Sequence, residues 1–134
     1  MKINININQE IDLHQLHMVV KTISDSSFEE YQKLSRKTAA YPKIGENFVY
    51  PLLGLAGESG EVAEKLKKVF RDNGGVVTEE TKKEIAKELG DVLWYLSQLA
   101  TELEIPFEEV AKTNLEKLFS RLKRNVIRGD GDNR

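Results

Sequence analysis

The sequence predicts an all-α chain, a helical bundle completed by homo-oligomerisation. Three long segments between residues 47 and 128 repeat apolar residues at helical spacing. Only 3 prolines and 9 glycines occur in 134 residues, so those segments run almost uninterrupted. Helix-start residues stand ahead of the segments, and turn residues separate them. Their apolar stripes exceed what one short bundle covers, so a homodimer or a dimer of dimers is expected.

Residues 1–26 read as an N-terminal arm. Ile3, Ile5 and Ile7 alternate with asparagines, as in a strand or an extended arm lying on another subunit. A short helix is expected over 9–22. Its His14 and His17 have helical spacing but no acid or cysteine signature nearby, so packing or surface roles are expected. The main domain should span residues 27–128. Ser27 followed by Glu30 is a capping-box pattern, and opens a helix over 28–40 that stops before Tyr41-Pro42. After the loop YPKIGEN a second helix should start at 47 or 51 and run to 72. Asn73-Gly74-Gly75 ends it. Thr78, with Glu79 and Glu80, opens a third helix reaching about residue 104. Pro106 suits the first turn of a fourth, which fades at Arg128-Gly129. The pairs Glu29-Glu30, Glu79-Glu80 and Glu108-Glu109 all sit at helix starts, where the helix dipole accounts for them. The polar tail 129–134, GDGDNR, is expected to fray by default, with folding over a bound phosphate group as the alternative that its glycines permit.

Composition narrows the function classes. The chain is 40% hydrophobic and 31% charged, which suits one domain with a core. A net charge of −2 argues against a nucleic-acid partner. With no cysteine, disulfides, thiolate catalysis and cysteine zinc sites are excluded. No apolar run reaches membrane-spanning length, and MKINININ lacks the apolar core of a signal peptide. A cytoplasmic protein with no membrane partner is therefore expected.

The chemistry concentrates in two stretches, LGLAGESGEVAEKLKK (53–68) and IAKELGDVLWYL (85–96). On a wheel of about 100° per residue, Leu55, Val62, Leu66 and Val69 define one buried stripe. Glu58 and Glu61 fall roughly 60° and 120° to one side of it. On the next helix Ile85, Leu89, Val92, Leu96, Leu99 and Leu103 define a stripe, and Glu88 and Asp91 fall at the same two offsets. Joined by a short turn, these helices should pack antiparallel and bring both acid pairs to one rim. Four carboxylates there repel unless paired, and a hard oxygen-seeking cation, Mg²⁺ or Mn²⁺, pairs them. Gly57, Gly60 and Gly90 accompany the acids at a cost of about 1 kcal/mol each against alanine. Close helix packing or a functional site would each justify them, and periodicity does not choose between these.

GLAGESGEVAEKLKK followed by KEIAKELGDVLWYLSQLA, with NLEKLFSRLKR and GDGDNR, resembles the MazG-like all-α nucleoside triphosphate pyrophosphohydrolases over about residues 45–134. The family signature is Glu-x-x-Glu, a spacer, then Glu-x-x-Asp. The matching residues are Glu58, Glu61, Glu88 and Asp91. The resemblance implies that these four hold Mg²⁺, and that a nucleoside triphosphate is cleaved between its α and β phosphates to a monophosphate and pyrophosphate. It also implies house-cleaning of the nucleotide pool and oligomers with sites near subunit interfaces. Glu61 is the carboxylate chosen to accept the attacking water's proton. Asn114, Lys117 and Arg121 share one face of the fourth helix, beside the apolar stripe of Phe107, Ala111, Leu118 and Leu122, and the resemblance implies that they contact the triphosphate. Tyr95 shares the shoulder of Glu88 and is a candidate to stack on the base; Tyr41, Phe48 and Tyr50 are unranked alternatives. Trp94 is expected in packing, and Lys65 and Lys68 in i, i+4 pairs with Glu61 and Glu64. Rival readings are a dUTP/dUDP or phosphoribosyl-ATP pyrophosphohydrolase on the same scaffold, or a non-enzymatic helical interaction module.

Overall fold

The computed structural model describes residues 27–132, and the expectations for the arm, the helix over 9–22 and the two histidines lie outside them. Four helices follow one another: α1 (Phe28–Arg36), α2 (Val49–Asn73), α3 (Glu79–Glu102) and α4 (Phe107–Lys123). No strand occurs among the described residues.

Cap chemistry places most of the boundaries. The Ser27 hydroxyl accepts from the Glu30 N–H at 3.3 Å, and the Thr78 hydroxyl from the Thr81 N–H at 3.2 Å. Gly74, at φ +58°, closes α2 in the left-handed conformation. Two helices end earlier than the sequence predicts. α1 stops at Arg36 rather than 40, because Thr38 turns its hydroxyl onto the Ser35 carbonyl at 2.7 Å and the chain tightens into a turn. α4 stops at Lys123 rather than near 128. Asn125 adopts φ +59°, the Val126 N–H reaches the Arg121 carbonyl, and the Asn125 N–H that of Leu122. This is a Schellman ending, with asparagine where glycine is commoner.

α2 and α3 pack along each other, α1 packs on α3 and α4, and α4 also meets α3. The interior is small and partly polar. Ser97 and Gln98 of α3 are fully buried, and both bond Ser35 of α1, at 3.1 and 3.2 Å. Gln32 ties three elements: its amide donates to Thr101 and to the Ile105 carbonyl, and its oxygen accepts from the Phe107 N–H. The Phe107 ring, 2% exposed, meets Phe28 edge to face at 5.3 Å.

The stripes are incompletely covered within one chain. Val69 is buried, and Leu55, Val62 and Leu66 are half-buried. Leu89 of α3, Leu103 just past its end, and Leu118 and Leu122 of α4 are exposed instead. In the second half of α4 the buried side chain is Arg121, because residues 131–132 fold back over that side of the helix.

Candidate metal centre

Each acid pair lies on a regular α-helical stretch, so each pair's spacing is set by helix geometry. Packing of α2 on α3 then determines which of the four meet. One oxygen each from Glu58, Glu88 and Asp91 lies within 4.8 Å of the others. Glu58 and Glu88 are half-buried and Asp91 is exposed. Glu61 lies outside this group of three and is exposed on α2. It still acts on the group. Burial first, then the charges of Asp91, Glu88 and Glu61, push the Glu58 carboxyl above the usual range.

The donor set fits a hard divalent cation. Three carboxylates in a mutually repelling, partly dry group supply oxygen ligands, which Mg²⁺ and Mn²⁺ prefer. One cation already leans on the group: the Lys65 ammonium lies 3.2 Å from Glu88 Oε1. The sequence places Lys65 with Glu61, one turn away. Lys65 instead reaches across to α3, where its charge meets the concentrated negative field. Lys68 does pair with Glu64, at 3.5 Å.

Among the described residues nothing fills the space a side chain would occupy at Gly57, Gly60 or Gly90. Close packing between the described helices is therefore not what these glycines serve, and they leave room beside the acids. Gly54 is different. A methyl group there would overlap the Tyr95 ring, which lies against the bare backbone of α2. Tyr95 is held beside the acids in this way. Burial, its contact with Tyr50, and the charges of Glu58 and Asp91 all raise its phenol.

An aromatic group continues from there. Trp94 meets Tyr95 edge to face at 5.0 Å and donates from its indole to the Thr38 hydroxyl at 2.8 Å, in the packing role expected of it. Tyr41 stacks on Tyr50 at 4.8 Å, with 17° between the rings. Tyr41 is 6% exposed and its hydroxyl is engaged, which removes it as a stacking candidate. Tyr50 and Phe48 stay open, at 43% and 52%.

The loop carrying Tyr41 is fastened by Glu102, whose carboxylate is fully buried. It accepts from the Tyr41 hydroxyl, from Arg36 at 2.9 Å, and from the Gly45 and Asn47 N–H groups, each at 3.1 Å. Burial by itself would raise this carboxyl, but those donors overcome it and hold the pKa at about 2. Burial and the bond to Glu102 push the Tyr41 phenol up to about 12.

Three residues that the structure engages are not among the candidates read from the sequence. Tyr31 of α1 stands near enough for the Asp91 charge to act on it, and burial with that charge raises its phenol. Its helix carries no acid motif, so no spacing marks it. Glu102 reads as one more acid near a helix end. Asp132 reads as part of a frayed tail, yet it pairs with Lys117 at 3.1 Å and Arg121 at 3.2 Å. Asn114 is exposed on α4.

The family described as MazG nucleotide pyrophosphohydrolase domain matches residues 51–126, which include α3, nearly all of α2 and the whole of α4. The Gene 37 protein of Mycobacterium phage L5 is 47% identical over 109 residues, covering 78% of this chain and 96% of that protein. No solved structure matches significantly. No helix among the described residues is long and apolar enough to cross a membrane. With both acid motifs, the helices that carry them and the cationic face of α4 inside the matched region, the chain belongs to the MazG nucleotide pyrophosphohydrolase family.

Proposed function

We propose that this protein is a Mg²⁺-dependent nucleoside triphosphate pyrophosphohydrolase acting in the cytoplasm on the (deoxy)nucleotide pool. The observation that carries this reading is the convergence of Glu58, Glu88 and Asp91 from two helices of a MazG domain. When bound there, Mg²⁺, or Mn²⁺ in its place, supplies charge neutralisation at phosphate oxygens and activation of water.

The side chains divide the remaining work. Glu58, Glu88 and Asp91 hold the ion, with Glu61 at the margin of the group. Because it lies outside the three, Glu61 is the carboxylate left to accept the proton of the attacking water. Lys117 and Arg121, with Asn114 one turn earlier, hold phosphate oxygens; the arginine fork suits two of them at once. Tyr95, fixed against Gly54, lines the base side, and the exposed Tyr50 extends that surface.

Product identification tests this. With Mg²⁺ and a panel of triphosphates, the expected products are the nucleoside monophosphate and pyrophosphate. Orthophosphate with a diphosphate overturns the reading. Turnover confined to dUTP and dUDP, or to phosphoribosyl-ATP, selects one of the related hydrolases. The absence both of turnover and of thermal stabilisation by Mg²⁺ selects a helical interaction module.

The homo-oligomer belongs to the same proposal. Leu53, Phe70, Phe119 and Leu122 are each at least 60% exposed, large apolar side chains that a second copy of the chain would cover. Sedimentation velocity at micromolar concentration is expected to give a dimer or a tetramer, and a monomeric mass overturns this part.

A further inference from the structure

The C-terminal tail holds the cationic face of α4 in an unusual way. The Arg121 side chain is 6% exposed, but the Asp132 carboxylate that meets it is 81% exposed. One oxygen, Oδ1, serves both cations, at 3.1 Å from Lys117 Nζ and 3.2 Å from Arg121 Nη2. The same Nη2 donates to the Gly131 carbonyl at 3.3 Å and the Asp132 carbonyl at 2.8 Å. Arg121 Nε, on the same edge of the guanidinium, is buried and has no hydrogen-bond partner among the described residues. The tail therefore uses half of a fork built for two oxygens. A buried unmet donor is costly, and fork-to-fork pairing is what an arginine edge favours.

A phosphoryl group is the ligand chemistry that would complete this arrangement. Three oxygens on one tetrahedral centre can take Nε, Nη2 and the Lys117 ammonium together, which a carboxylate sharing one oxygen does not. The occupant is also readily displaced, because Asp132 is 81% exposed and its pair with Lys117 is open to solvent, where such pairs contribute little. We propose that Asp132 is an internal competitor at a phosphoryl-binding site formed by Lys117 and Arg121. A polyphosphate displaces the tail as it binds, and the tail re-covers the site when the ligand leaves. This inference rests on the reading above that Lys117 and Arg121 hold phosphate.

Calorimetric titration of the full chain with inorganic pyrophosphate, in EDTA at low ionic strength, separates the competitor from the site. Asp132→Asn is expected to bind pyrophosphate about threefold to tenfold more tightly than wild type, the range for losing the solvent-open pair with Lys117 together with the half-open pair with Arg121. Adding Lys117→Ala to Asp132→Asn is expected to abolish that gain. Because Lys117 is partly exposed, the variant avoids disturbing buried Arg121, and thermal melting checks its fold. Unchanged or weaker binding by Asp132→Asn overturns the competitor. If Lys117→Ala in the wild-type chain still weakens binding in that case, the phosphate reading of α4 survives alone. If Lys117→Ala has no effect either, both fall.

Discussion

Asp91→Asn and Glu58→Gln are each expected to lower kcat/KM for a triphosphate at least about a hundredfold, with the helices intact. Partners one shell outside a metal ligand contribute about 10- to 100-fold, so loss of a ligand should cost no less. Folding should not suffer. Glu58, Glu88 and Asp91 repel one another, and Glu61 adds to the charge on Glu58. Removing one negative charge relieves that repulsion, so melting in EDTA should be unchanged or slightly higher than wild type. In Mg²⁺ the order should reverse, because wild type gains from ion binding and the variants do not. Thermal melts with and without Mg²⁺, alongside kcat/KM, read both effects. Variants that retain both turnover and Mg²⁺ stabilisation would remove the metal centre from the account.

Glu102→Ala is expected to destabilise the fold by about 3–5 kcal/mol, the cost of removing one partner from a buried ion pair. Its carboxylate has no exposed surface and meets Arg36, Tyr41 and two loop N–H groups. The same group predicts a pH dependence. Its folded pKa of about 2 lies below the ordinary 4.5, so the folded state favours the ionised form. That contribution is complete above about pH 5 and is lost as pH falls towards 2. A difference of 4.5 against about 2 corresponds to about 3 kcal/mol at 1.36 kcal/mol per unit. Urea midpoints at pH 7, 4 and 3 should fall steeply for wild type and less for Glu102→Gln. Parallel decline in the two chains would show that other carboxylates govern acid unfolding.

Glu102 also matters to the site at one remove. It holds Tyr41, Tyr41 stacks on Tyr50, and Tyr50 adjoins Tyr95 beside the acids. No spacing in the sequence connects residue 102 with residue 50. The link exists only because α1, the loop and the end of α3 meet.

Much of the rest was legible along the chain, and the reason is local. Helix periodicity and cap chemistry act within four residues, so Ser27, Thr78 and Gly74 mark real boundaries. The misjudged ends of α1 and α4 turned on Thr38 and Asn125, residues whose helix-ending conformations are only weak preferences. The stripe on α4 failed from Leu118 onward for a different reason. Apolar spacing names a face, but the folded-back tail covers Lys117 and Arg121 instead.

Residue spacing alone establishes that the chain is helical and that two helices carry acid pairs at matching offsets beside apolar stripes. Those follow from 3.6 residues per turn, a property each helix has alone. It takes the packing of helix on helix to bring three acids together without Glu61, to lean Lys65 on Glu88, and to lay Asp132 over Arg121. Coulomb and hydrogen-bond energies change over ångströms, and separations between helices on that scale are set by packing rather than by spacing along the chain.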